Sequence, residues 1–121
     1  MVAKMNNEVK EVLETAYEYM NKLNGGVLTA AKYFQNGNYR DALDLTIQIT
    51  EGIEWTIKVI NLNKNLYTEE ERIQELNEKL KETLEAFENG DYVLIGDLFE
   101  YEISPIIENY IEKTKMILSN C

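Results

Sequence analysis

The sequence predicts an all-α domain, an up-down-up-down four-helix bundle built from two similar αα-hairpins. Three observations lead there. Apolar residues recur at steps of three and four through most of the chain, the mark of amphipathic helices. One Pro and six Gly in 121 residues leave little to interrupt long elements. A phrase also occurs twice, "FQNGNY" at Phe34–Tyr39 and "FENGDY" at Phe87–Tyr92. Each copy falls where one apolar stripe ends and the next begins.

The first helix is expected from about Asn6 to about Gln35. Its stripe is Val9, Val12, Ala16, Met20, Leu23, Val27, Ala30 and Phe34, with Glu11, Glu14, Glu18, Lys22, Thr29 and Lys32 opposite. Gly25-Gly26 costs roughly 2 kcal/mol against two alanines inside a helix. The stripe keeps its phase across the pair, so the helix either bends there or breaks there. The second helix is expected from about Tyr39 to about Asn61, on Ala42, Ile49, Ile53, Ile57 and Ile60, with Thr46 and Thr50 alongside. "NLNKNLY" then reads as a short polar connection. Thr68 and Glu71 form a capping-box pattern at the start of the third helix. Its stripe is Ile73, Leu76, Leu80, Leu84 and Phe87. The fourth runs from about Asp91 to about Leu118 through Ile95, Leu98, Phe99, Ile103, Ile106, Tyr110 and Ile117. These bounds give one domain over residues 1–121: hairpin one at about 6–61, a connection at about 62–67, and hairpin two at about 68–118.

The repeated phrase reads as two helical corners. Gly37 and Gly90 are placed to take the left-handed conformation that ends a helix. Asn38 and Asp91 can cap the helix that follows, and Tyr39 and Tyr92 open its apolar stripe. Over Phe34–Leu45 and Phe87–Leu98, six of twelve positions are identical. Duplication of a hairpin explains this; so does convergence on the Gly, Asn and Asp that tight corners favour.

Composition narrows the function classes. The chain contains no His, which removes the commonest general base and the commonest metal ligand. Ser-His, Cys-His and Glu-x-x-His arrangements are therefore impossible. No phosphate-binding glycine motif, nucleophile elbow or EF-hand spacing occurs. No catalytic, metal or cofactor site is predicted, and the expectation is a protein that is not an enzyme. Net charge is −10, most of it beyond residue 60. That sign repels phosphate backbones and anionic lipids, so neither nucleic acid nor membrane is an expected partner. A protein partner or a second copy fits better. The only cysteine is Cys121, which excludes an internal disulfide and makes a reducing cytoplasm the expected location.

Two positions stand out as candidate sites. Glu102 falls on the apolar face of a regular fourth helix, where a carboxylate needs a partner; Thr46, Thr50 and Lys32 are candidates. It reads as an interior polar site, as a residue fixing packing specificity, or as a rim Glu exposed by a kink at Pro105. Trp55 falls off the stripe of a straight second helix, near Glu51. It reads as an exposed interface anchor, or as a ring covered by a neighbour or by a bend at Gly52. Tyr17, Tyr19, Tyr33 and Tyr101 either line a groove for a partner helix or lie along helix flanks.

"AKYFQNGNYRDALDLTIQI" resembles the corner of a tetratricopeptide repeat, but the two phrases lie 53 residues apart, whereas such repeats recur at about 34. Length, acidity and hairpin layout resemble the flagellar type III export chaperones. That resemblance implies binding an amphipathic segment of a secreted client in grooves between helices. Usage rich in Ile, Asn, Lys and Glu fits an AT-rich bacterial genome and an uncharacterised bacterial family. The functional expectation is a non-enzymatic protein-interaction module, chaperone- or adaptor-like, binding a partner helix or itself through Trp55, Glu51 and Tyr101. The alternative is a small-molecule-binding or carboxylate-based enzymatic bundle around Glu102, Thr46 and Thr50.

Overall fold

The computed structural model describes residues 6–67 and 70–120. Thr68, the expected cap of the third helix, and Cys121 lie outside the described residues. The chain is all-α, and no strand occurs among the described residues. Helix α1 spans Asn7–Gln35, α2 Tyr39–Leu62, α3 Glu70–Glu88, and α4 Tyr92–Asp97. A π-helical turn, Leu98–Ile103, leads directly from α4 into α5, Ser104–Ser119, so these three pieces form one rod.

Helix α1 begins at Asn6, whose Oδ1 accepts the Val9 N–H at 2.8 Å. It then runs unbroken through Gly25-Gly26. Its core face is Leu13, Ala16, Met20, Leu23, Val27, Ala30 and Phe34. Leu13 takes the place expected for Val12, which is exposed. The core face of α2 carries Ala42, Thr46, Ile49, Ile53, Ile57 and Ile60. In α3 the buried face is Ile73, Leu76, Leu80, Thr83 and Ala86. The expected Leu84 and Phe87 lie off that face, at 42% and 38% exposure.

Both repeated phrases form helix-ending corners with the same bonds. Gly37 and Gly90 adopt φ of 77° and 66°, the region where a Cβ is penalised. The Asn38 N–H reaches the Tyr33 carbonyl at 2.8 Å, and the Asp91 N–H reaches the Ala86 carbonyl at 2.9 Å. Gly37 and Gly90 donate to the carbonyls of Phe34 and Phe87. Each pair of bonds satisfies carbonyls that the helix end leaves free. The caps differ. Asp91 Oδ1 accepts the Leu94 N–H at 3.2 Å. Asn38 makes no such cap, because its amide donates to Asp41 at 2.9 Å. The first copy has an Asp to engage it and the second has Leu94.

Helix α1 is the central element, packing on α2, α4, the π turn and α5. Two glycines let it come close. A Cβ on Gly52 would lie 2.7 Å from the Tyr19 hydroxyl and 2.8 Å from Leu23 Cδ1. One on Gly96 would lie 3.2 Å from Phe34 Cβ. Polar contacts also join α1 to the last rod. Ser104 Oγ donates to Asn24 Oδ1 at 2.6 Å, and the Gln35 amide donates to Glu100. The two corners meet: the Tyr39 and Tyr92 rings lie 4.8 Å apart, both against Phe34. Elsewhere, Tyr67 lies buried after α2 and packs edge-on against Tyr110. Thr114 Oγ1 donates to the Tyr110 carbonyl, so its hydroxyl oxygen accepts from Tyr67 at 2.6 Å.

Candidate functional site

The π turn decides where Glu102 goes. Pro105 occupies the first turn of α5 and has no N–H to donate. The wider turn before it puts the Ser104 N–H on the Phe99 carbonyl, five residues back, as in a π-helix. Fewer degrees per residue bring Phe99 and Ile103 to the same buried side, both at 0% exposure. The same rotation carries Glu102 outward. Its side chain is 46% exposed and stands 4.0 Å from Lys79 of α3. The interior polar site expected at Glu102 is therefore corrected to a surface position. A uniform helical wheel misplaced it because it assumed one rotation per residue throughout.

The two threonines expected as its partners are occupied elsewhere. The buried Thr46 hydroxyl donates to the Ala42 carbonyl at 2.8 Å, and Thr50 donates to the Ile47 carbonyl at 2.8 Å. Lys79 also approaches Glu82 at 3.3 Å. That hydrogen bond is the main cause holding the ammonium pKa above its ordinary value, with Glu102 a lesser contributor.

Trp55 is half-buried rather than free-standing. Its ring meets Tyr19 of α1 edge-on, centroids 4.7 Å apart. The close approach at Gly52 brings Tyr19 within reach, so Gly52 and Trp55 act together. Glu51 is exposed beside them, and Tyr101 is exposed on the π turn, a separate element. Tyr19, but not Trp55, also lines an open cleft of about 170 Å³ between α1 and α2. Tyr19, Lys22, Leu23 and Gly26 line it from α1; Leu45, Gln48 and Ile49 line it from α2.

Gly26 matters because of what it lacks. A Cβ there, or on Gly25, would meet nothing within 4 Å. Close helix packing therefore does not explain either glycine, and each weakens α1. From the sequence the pair marks only a bend or a break in one long helix. The usable signal was two helix-weakening residues inside a stripe that never loses phase.

The profile of one protein family matches residues 11–113, which takes in the cleft, both corners and the π turn. The chain belongs to that family, a domain of unknown function (DUF8042). No curated protein matches the chain. No solved structure matches it either. Among the described residues, no helix is long and apolar enough to cross a membrane, and no group of three or more His, Cys, Asp or Glu is placed to hold a metal ion.

Proposed function

We propose that this chain is a non-enzymatic protein-interaction module, chaperone- or adaptor-like, that seats a side chain of a partner helix in the α1–α2 cleft. In this reading the four helical rods stand up-down-up-down, an arrangement supported by the contact between the two corners. The observation that carries the proposal is the cleft itself, lined by Gly26 and by Tyr19, whose ring packs against Trp55. At about 170 Å³ it is smaller than the roughly 300–1,000 Å³ of pockets that enclose small molecules. It suits one anchoring side chain of a helix laid along a groove. Trp55 and Tyr19 supply the rigid aromatic edge that binding hot spots favour.

Affinity capture from the native cytoplasm tests this, with Trp55→Ala and Gly26→Leu as controls. The Gly26 variant fills the cleft, and its first carbon meets no neighbour, so the fold is retained. The expected result is a partner captured by the wild type and lost by both variants, each with an unchanged circular dichroism spectrum. Retrieval of the same proteins by all three removes the cleft from the proposal.

A further inference from the structure

The internal repeat provides its own control for the second corner. Arg40 and Asp41 follow Tyr39 in the first copy; Val93 and Leu94 follow Tyr92 in the second. All four are exposed, with Val93 at 72%. The first corner thus carries charges at its two solvent positions, and the second carries apolar side chains at the same two. A further asymmetry lies one helix back. Phe34 is buried beneath Tyr92, Phe99 and Gly96. Its counterpart Phe87 is left partly bare, as is Leu84. The corresponding helices differ as well: where α4 has Gly96, α2 has Leu43. Leu84 and Phe87 on one side of Gly90 in the chain, and Val93 and Leu94 on the other, are thus all left exposed.

Charge identifies what would cover them. From Glu82 to Glu112 the chain has nine carboxylates and not one Lys or Arg. Glu85, Glu88, Asp91 and Asp97 flank the apolar residues and are all exposed. Pairing this face with a second copy would set carboxylate against carboxylate, which opposes association. The geometry points to a second docking surface at this corner, for a basic amphipathic helix of a protein partner. The apolar face of that helix covers Phe87 and Leu94, and its Lys or Arg residues meet the surrounding carboxylates. The inference rests on the interaction-module reading but uses a different face.

The test titrates a leucine–lysine amphipathic helical peptide against the full chain by calorimetry. A leucine–glutamine peptide with the same apolar face is the charge control. The deciding variant is Val93→Arg with Leu94→Asp. It installs the residues that the first corner already carries and leaves net charge unchanged. Expected are binding of the basic peptide, weaker binding of the neutral one, and a loss of at least about tenfold in the double variant. Leu84→Gln with Phe87→Gln, on the other side of Gly90, is expected to lower affinity likewise. Trp55→Ala is expected to leave it unchanged, which separates this surface from the cleft. Equal affinity of wild type and both double variants overturns the proposal, since binding then follows charge alone. So does light scattering that finds a dimer dissociated by the Val93 and Leu94 changes, because the occupant is then a second copy.

Discussion

Glycine plays opposite parts at different positions. A side chain on Gly25 or Gly26 meets open space, so only helix propensity is at stake. Gly25→Ala and Gly26→Ala are each expected to stabilise the fold by about 1 kcal/mol, read as a higher urea midpoint at constant slope. Gly96 has Phe34 Cβ in the way, an atom fixed to the α1 backbone that cannot swing aside. Gly96→Ala is expected to cost about 1–3 kcal/mol through overpacking, partly offset by propensity. Stabilisation there would mean that the rods can slide apart freely. Tyr67 gives a residue-scale pH effect. Burial holds its pKa above the ordinary value. The unfolded chain therefore loses this proton first. The stability that Tyr67 contributes is complete below about pH 10 and declines as pH rises through the higher folded pKa. The stability gap between wild type and Tyr67→Phe should narrow above pH 10; parallel denaturation curves would contradict this.

At the scale of elements, the π turn changes more than its own six residues. It rotates everything on one side of it against everything on the other. Periodicity could reveal four rods, their approximate ends and most of their buried faces, because apolar burial repeats with the helix. It could not reveal the change of pitch, which depends on how Pro105, Phe99 and Ile103 are accommodated together. The interior reading of Glu102 fails for that reason, and the exposed-rim reading is the one its position fits. Replacing Glu102 with Gln should leave the urea midpoint at neutral pH nearly unchanged, because an exposed ion pair such as the one with Lys79 contributes little. A large fall in that midpoint would return Glu102 to the interior. The corners were legible in full at their glycines, whose positive φ is a local demand. The Asn38 cap was not, since Asp41 competes for its side chain. Neither the cleft nor the bare second corner was legible, since each depends on which helices approach closely, and that is set by Gly52 and Gly96.

For the molecule as a whole, charge is the dominant feature, at −10. Self-repulsion of that size opposes compaction. Raising ionic strength from 0.01 to 0.15 M shortens the screening length from about 30 to about 8 Å. The thermal midpoint should therefore rise with salt; a fall would show that ion pairs such as Arg72–Glu75 outweigh the repulsion. The two halves share a phrase but not a surface: the first corner is charged outside, the second apolar. Their tyrosines nevertheless touch, at 4.8 Å. That contact is a timekeeper for folding. Each corner closes between neighbours in sequence, which is fast, whereas Tyr39 can reach Tyr92 only after both corners exist and have docked. A fluorophore at either ring would stay silent while helices form and report the moment the halves join.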